Sequence, residues 1–220
     1  MRTQLIIIAS TIALLTASSA SAAEDQGPND ASGGGSGGKG DSVLLGAKVG
    51  GLVPLGGLSP FVTFGVEAGY VFPWMNGAFA GALYVDYTAP KQSGSSKDGR
   101  IGDVGGSYDW NITEKELAFM PVFLYRFTAI DSFTPYAGIG PRIYLLESTV
   151  DGSAGGATIS ETTEQNTEFG FGIPVGAEIP AGPGGFLAEL LFHYGGLDHQ
   201  ATGDTNSGAL SLSLGYRLLL

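Results

Sequence analysis

The chain contains no cysteine and few basic residues. The absence of Cys from its 220 residues excludes disulfides, thiol catalysis and Cys-ligated zinc. Ten Lys plus Arg stand against 21 Asp plus Glu, which gives a formal net charge of −11. Because a phosphate backbone needs a basic surface, we expect no nucleic-acid partner. With 43% hydrophobic and 14% charged residues, the chain is too apolar to be disordered throughout.

Long apolar runs are also absent after the first few residues. The stretch Leu5–Leu15 follows a positive start at Arg2 and precedes Ala20–Ala22, which fits an A-x-A cleavage pattern. It is shorter than the roughly 20 residues that span a bilayer as a helix. The sequence therefore predicts an export signal peptide over residues 1–22.

Glycine, in contrast, is abundant, with 37 residues. Residues 23–42 are rich in Gly and Ser, which predicts a flexible, disordered linker. Within them, Gly33, Gly38 and Lys39 approximate a phosphate-binding loop, but Gly rather than Ser or Thr follows the lysine. We attribute this match to composition. The folded domain is expected to cover residues 43–220.

That domain alternates between apolar and small residues with the period of two that is typical of β-strands. Each alternating segment is at least about as long as a tilted strand that crosses a bilayer, roughly 9–11 residues. Eight segments are predicted as strands: 43–53, 60–73, 77–89, 116–127, 133–147, 167–179, 185–196 and 208–220.

One face of these segments is bulky and apolar, and the other is small or charged. In the last segment Leu210, Leu212 and Leu214 alternate with Ser211 and Ser213. A soluble sandwich would instead show a broadly polar second face. Gly, Ala and Ser suit the inside of a narrow barrel, whose bulky face then meets lipid. The sequence predicts an all-β fold, an eight-stranded antiparallel up-and-down transmembrane β-barrel without open edges.

Charged residues fall on the small-residue face. A Lys or Arg that faced lipid at the bilayer midplane would cost about 2–4 kcal/mol. Inside the barrel, opposite charges can pair if they are well hydrogen-bonded. The predicted interior charge network consists of six acids and four bases: Lys48, Glu67, Asp86, Glu116, Arg126, Arg142, Glu168, Glu178, Glu189 and Arg217.

Short and long connections alternate along the chain, as in barrels with short periplasmic turns and long outer loops, except that Pro54–Ser59 is short where a long outer loop is expected. The short turns are predicted at Pro73–Gly77, Thr128–Ser132 and Ala181–Gly184. The long loops are predicted at Thr88–Lys115, Ser148–Asn166 and Leu197–Ser207. Both ends of residues 43–220 would then lie on the periplasmic side.

Aromatic residues concentrate near the strand ends on that side. Tyr and Trp are enriched where a protein crosses the membrane–water interface. The predicted periplasmic girdle consists of Tyr70, Phe72, Trp74, Phe79, Tyr125, Phe127, Phe133 and Tyr216. Ordinary enrichment of aromatic residues in strands is the alternative explanation.

Three prolines lie inside the predicted strands. Pro121, Pro141 and Pro174 each remove one hydrogen-bond donor from a sheet ladder. We expect β-bulges or shifted strand ends to accommodate them.

Three motifs carry a resemblance to a known family. The first is Phe133–Gly140, which contains Pro-Tyr-Ala-Gly-Ile-Gly. The second is the Gly-rich segment Phe169–Glu178. The third is Ser213–Arg217, which ends in Gly-Tyr-Arg. Together they resemble small eight-stranded outer-membrane barrels of the OmpA, OmpX and opacity-protein type. The chain departs from that family at Leu218–Leu220, where the family has a terminal Phe or Trp that the barrel-assembly machinery reads.

The resemblance implies an integral protein of the bacterial outer membrane, exported through the Sec pathway. It implies a monomer with a structural or surface-interaction role, whose outer loops meet partners outside the cell. Outer-membrane lipid, both lipopolysaccharide and phospholipid, and the barrel-assembly machinery are the implied partners. We expect no cofactor, metal site or enzymatic activity.

Several alternatives remain open at this point. Eight strands leave an interior that side chains just fill or that holds one small ligand, so a narrow porin-like channel or a small-ligand barrel is the second interpretation. A soluble secreted β-sandwich or lipocalin-like binder is less favoured. A lipid A-modifying barrel enzyme would need Glu189, His193 and either Ser211 or Ser213 to meet inside the barrel.

Overall fold

The structure, a computed structural model, describes residues 42–97, 106–130, 132–155, 157–197 and 206–220, without the side chains of 159–161. The predicted signal peptide and nearly all of the predicted linker lie outside the described residues. No helix in the described part is long and apolar enough to cross a membrane.

The described chain folds into a closed antiparallel barrel. Its strands are β1 (Ser42–Pro54), β2 (Phe61–Phe72), β3 (Phe79–Thr88), β4 (Lys91–Lys97), β5 (Ser107–Arg126), β6 (Thr134–Ala154), β7 (Ala157–Ala181), β8 (Gly184–Gly195) and β9 (Ala209–Leu219). Both β3 and β4 pair with β5, so they form one wall strand interrupted at Ala89 and Pro90. The predicted eight-stranded barrel is therefore confirmed.

Pairing of the first strand with the last closes the wall. Ala47 of β1 lies opposite Tyr216 of β9 in a continuous antiparallel register. Beyond β9, the Leu220 amide donates to the Val43 carbonyl at 2.9 Å, and the Val43 amide donates back at 2.8 Å. Both ends of the described chain therefore lie at one end of the barrel, which we call the terminal end; the opposite end is the hairpin end.

The predicted short turns join strands at the terminal end. β2 leads to β3 through a single 3-10 turn at Trp74–Gly77, and β7 leads to β8 across only two residues. The third connection, between β5 and β6, begins after Arg126 and ends at Thr134.

Exposure alternates along the strands as the sequence predicts. Val49, Phe64 and Leu212 on the outer face are 50%, 57% and 61% exposed, whereas their strand neighbours face a filled interior. So much exposed apolar surface would be unstable in water. It matches a wall that is surrounded by hydrocarbon.

Three strands are longer than the sequence predicts. β5 starts nine residues before the predicted 116–127, β6 extends past 147, and β7 starts ten residues before 167–179. The predicted boundaries of the loops Thr88–Lys115 and Ser148–Asn166 are therefore corrected, because most of their described residues are strand. The outer face of the wall stops being apolar where the strands leave lipid, but backbone pairing continues into water.

These extensions form a sheet that projects past the rest of the wall. Its members are β4 and residues 107–115, 147–154 and 157–167 of β5, β6 and β7. We call it the protruding sheet. The other strands do not reach as far toward the hairpin end. The ladder between β7 and β8, for example, ends at Gly170 and Gly195.

The strand prolines are accommodated without any shift in register. Pro121 and Pro141 occupy facing positions between β5 and β6, where the paired ladder is interrupted between Phe119–Ile143 and Phe123–Ile139. At Pro174 the ladder between β6 and β7 is likewise interrupted. The expected bulges are therefore absent at these prolines in the described residues, because missing rungs replace them. The register shift between β6 and β7 lies elsewhere, at Gly152 and Ser153.

Candidate functional site

The barrel interior is lined by charged side chains that the small-residue face carries inward. Nine of the ten residues predicted for the interior network are at most 7% exposed: Lys48, Glu67, Asp86, Glu116, Arg126, Arg142, Glu178, Glu189 and Arg217. Burial of isolated charges on this scale would be prohibitive, so their pairing decides whether the interior is stable.

Arg217 organises the charges nearest the terminal end. Its Nε and Nη2 donate to the two carboxylate oxygens of Glu67 at 2.5 and 2.9 Å, a bidentate geometry. Its Nη1 reaches Glu178 Oε2 at 3.2 Å, and Arg126 Nη2 approaches the other oxygen of Glu178 at 3.4 Å. Two arginines and two carboxylates thus form one connected group of ion pairs in this part of the lumen.

Glu189 occupies the middle of the lumen. Lys48 Nζ lies 2.6 Å from its Oε1, and the hydroxyls of Tyr84 and Tyr136 each donate to its Oε2 at 3.0 Å. Tyr84 OH also accepts from Arg217 at 3.3 Å, which joins the middle to the terminal end. The Glu189 carboxylate is therefore surrounded by donors on both oxygens.

Arg142 anchors the part of the network closer to the hairpin end. It pairs with Asp86 at 2.7 Å and with Glu116 at 3.1 Å. Lys48 Nζ lies 3.8 Å from Asp86, so this group joins Glu189. The ion pairs and tyrosines consequently form one connected chain along the lumen; we call it the interior network.

Glycines on the inward face make room for these side chains. A Cβ added at Gly65 would lie 2.5 Å from Asp86 Oδ1 and 2.7 Å from Lys48 Cε. One added at Gly176 would lie 2.6 Å from the Tyr136 hydroxyl. Such contacts are shorter than van der Waals distance, so a larger residue at these positions would displace side chains of the interior network.

One predicted network residue stands apart, and several members were missed. Glu168 is only half-buried near the hairpin end; Asn166 Nδ2 donates to it, and it makes none of the ion pairs described above. Tyr84, Tyr136 and Tyr144, which the prediction missed, are fully buried in the lumen, as is His193, which the sequence analysis placed inside the barrel. The strand parity of the tyrosines matches that of the charges, and that signal could have identified them.

The three groups that a Ser-His-Glu mechanism would need do not form a hydrogen-bonded set. Ser213 lies opposite Glu189 in the ladder, but His193 Nε2 is buried without a hydrogen-bond partner among the described residues. Glu189 binds Lys48 and two tyrosines, as described, and His193 Nδ1 lies 3.1 Å from Tyr144 OH. Ser211 Oγ donates to the Leu191 carbonyl at 3.5 Å. Nucleophilic attack by serine requires a hydrogen bond to the base, which this arrangement does not form.

Aromatic side chains surround the terminal end on the outer face. Trp74 is 67% exposed and stacks on Phe72 at a centroid distance of 5.4 Å. Tyr125 makes edge contacts with Phe79 and Phe127. Tyr70, Phe133 and Tyr216 are the other predicted members, and Phe123 and Phe186 join them through Phe79 and Tyr216.

An exposed ion pair lies where the apolar wall gives way to the protruding sheet. Lys115 Nζ and Glu147 Oε1 are 2.7 Å apart on the outer face. The Glu147 hydrogen bond raises the pKa of Lys115, whereas hydrogen bonds from Lys115 and Gln165 lower the pKa of Glu147. Both groups therefore stay charged over a wide pH range.

The protruding sheet carries a cleft on its inner face. The cleft has a volume of about 400 Å³ and is lined by Tyr108, Trp110, Ile112, Val150, Asp151, Gly152 and Thr162. It lies farther along the same strand faces that bear Glu114 and Ser148 at the lumen mouth.

Known proteins with similar folds are outer-membrane barrels. A major outer membrane protein from Thermus thermophilus is 13% identical, with a TM-score of 0.52 over 81% of this chain and 99% of that one. Neisserial surface protein A is 20% identical, with a TM-score of 0.49 over 81% and 98%. The outer membrane enzyme PagL is also 20% identical, with a TM-score of 0.39 over 80% and 98%. No curated protein matches.

A family model settles the relationship that the fold suggests. The model described as the outer membrane protein beta-barrel domain matches residues 8–217, nearly the whole chain. This match and the closed barrel with an apolar exterior agree. The chain belongs to the outer membrane protein beta-barrel domain family.

Proposed function

We propose that this protein is a closed barrel that displays its protruding sheet outside the cell and acts there in surface interaction. The observation that supports it most is the connected interior network, which fills the lumen while the sheet stands clear of the wall. In this role the wall is an anchor, and the recognition surface is the sheet.

The distribution of side chains supports an orientation with the terminal end in the periplasm. Outer-membrane barrels have short periplasmic turns and longer outer extensions. The short turns and the aromatic residues both lie at the terminal end. We propose that these aromatic residues form the periplasmic girdle and that the wall binds phospholipid and lipopolysaccharide as a monomer.

The beginning and the end of the chain complete the proposal. Export through the Sec pathway by a signal peptide over residues 1–22 would deliver it to the barrel-assembly machinery. Strand β9 pairs over its full length with β1, so it offers that machinery a regular, fully paired strand. We propose no catalytic role, since the interior Ser, His and Glu contact other groups.

Single introduced cysteines test the surface display, because the native chain has none. Ser95→Cys places a thiol in β4 of the protruding sheet, and Asn76→Cys is the matched control in a terminal-end turn. On intact cells, a membrane-impermeant maleimide is expected to label only the first variant. Labelling of Asn76→Cys alone would overturn the orientation, and labelling of neither before lysis would overturn the display.

A narrow pore is the second candidate, and one observation favours it. Among the described residues, Arg126 Nε, Arg142 Nε and His193 Nε2 are buried without a hydrogen-bond partner. Buried polar atoms of this kind are commonly satisfied by ordered water. Water in the lumen would make the interior network a weaker barrier to small solutes. Proteoliposomes that swell in isotonic arabinose would support the pore, and unchanged liposomes would support the closed barrel.

A further inference from the structure

The cleft on the protruding sheet has a chemistry that the closed barrel does not need. Its residues lie in the polar extension, beyond the Lys115–Glu147 pair, where packing against lipid plays no part. Tyr108, Trp110 and Ile112 alternate along β5, so the same face carries three large apolar surfaces in succession. Polar strands in water have no structural reason to carry such a face.

Trp110 is positioned by the residue opposite it. Gly94 of β4 pairs with Trp110, and a Cβ at Gly94 would lie 2.6 Å from Cζ2 of the indole ring. The ring therefore lies across the glycine backbone, and any larger residue there would push it away. The sheet thus holds a rigid aromatic surface at the floor of the cleft.

The charge of the cleft selects among ligands. No Lys or Arg lines it among the described residues. Asp151 pairs with Asn111, so its carboxylate lies on the opposite face of the sheet from Trp110, and the cleft face carries no charged side chain among its described lining residues. Phosphate or sulfate groups are recognised by Arg, Lys or clustered backbone amides, so anionic ligands are disfavoured. Thr162 adds a hydroxyl, and Tyr and Trp each combine an apolar ring with a polar group.

We propose that this cleft binds a ring of a neutral saccharide. A pyranose has an apolar C–H face that can lie on Trp110 and a rim of hydroxyls that can exchange hydrogen bonds with Thr162 and Tyr108. A cleft of about 400 Å³ accommodates one or two such rings. This inference rests on the proposed surface role and specifies its ligand class.

Tryptophan fluorescence gives a direct test, because the chain has only two tryptophans, Trp74 and Trp110. In a Trp74→Phe background, Trp110 is the sole reporter. The folded barrel in detergent micelles is titrated separately with maltohexaose, cellohexaose and mannohexaose, and with sucrose octasulfate as the anionic probe. We expect saturable emission changes for at least one neutral hexasaccharide, with a Kd of about 0.1–10 mM, and none for the sulfated sugar.

A pair of variants on β4 controls for the sheet itself. Gly94→Val displaces Trp110 and is expected to weaken binding at least tenfold. Ser95→Val changes the adjacent, exposed position and is expected to leave the affinity unchanged. Retained heat-dependent gel mobility in both variants shows that the barrel is folded.

Three results would overturn the proposal: no saturable response to any of the three hexasaccharides, equal affinity for sucrose octasulfate, or unchanged binding by Gly94→Val. Cysteine labelling is independent of saccharide. A sheet that is labelled on cells but binds no saccharide therefore contradicts this inference alone, whereas a sheet that is never labelled contradicts the proposed function.

Discussion

Individual residues in the lumen are stabilised by partners rather than by water. The Glu189 carboxylate receives one ammonium and two hydroxyl groups while only 1% of the residue is exposed. A buried pair of this kind adds little net stability over an apolar equivalent, but loss of one partner strands the other charge. Lys48 is therefore the residue most sensitive to changes at Glu189.

Neutralisation of Glu189 is expected to destabilise the barrel by about 3–5 kcal/mol, because Lys48 loses its nearest carboxylate. Lys48 then keeps the 3.8 Å contacts with Asp86 and with the Tyr84 ring. Urea unfolding of Glu189→Gln in lipid vesicles measures the change. Glu147→Gln is the matched control, since its exposed pair with Lys115 is expected to contribute about 0–1 kcal/mol. Equal losses in the two variants would contradict the importance of burial.

Inward glycines are expected to be far less tolerant than outward ones. Gly65→Val would force a side chain into Asp86 and Lys48, at a cost of about 1–3 kcal/mol or more. Gly51→Val is its counterpart on the outer face of β1, where an added Cβ meets nothing within 4 Å. Unfolding midpoints of the two variants compare them, and a Gly65→Val barrel as stable as Gly51→Val would refute the steric explanation.

At the scale of strands, β6 is the least securely paired part of the wall. It lacks rungs to β5 around Pro141 and rungs to β7 opposite Pro174. The seam between β1 and β9 has no such gap from Leu44 to Pro54. Because register is preserved, the prolines weaken hydrogen bonding locally without altering which side chains face the lumen.

Hydrogen exchange is expected to reveal this difference. Peptides that contain residues 138–142 should exchange faster than peptides that contain residues 46–52, since fewer ladder bonds protect the backbone. Mass spectrometry of the barrel in lipid measures both segments in one sample. Slower exchange in 138–142 would show that other interactions compensate for the missing rungs.

The sequence predicted which side chains of each strand face the lumen. It did not predict where the strands end or how far along the barrel axis each residue lies. The alternation in 208–220 gives the correct faces because lipid imposes an apolar outer surface. That requirement ends at about Lys115. Beyond it, Tyr108, Trp110 and Ile112 still alternate with polar residues, but on the face opposite to the apolar outer face of the wall, so the alternation was not assigned to the same strand.

The alternation correctly placed the Glu168 side chain on the inward face but did not give its position along the barrel axis. Glu168 lies nearer the hairpin end than the charged residues that form the interior ion pairs. Likewise, nothing in the sequence indicated that Trp110 faces Gly94.

At the scale of the molecule, the barrel separates two environments. The wall presents apolar side chains to lipid, the lumen holds the nine buried charged residues of the interior network, and the protruding sheet carries polar strands with one aromatic cleft. Most of the acidic excess lies outside this network, since it contains five acids and four bases. The network is thus nearly neutral, as a closed lumen requires.

Conductance across a planar lipid bilayer tests the closed lumen most directly. Purified barrel in buffered potassium chloride is expected to give no stable channel steps, because the interior network from Arg126 to Glu116 occupies the lumen. Lys48→Ser, which removes the central ammonium, is the variant most expected to admit ions. Stable, reproducible channel openings by the unmodified barrel would contradict a closed lumen.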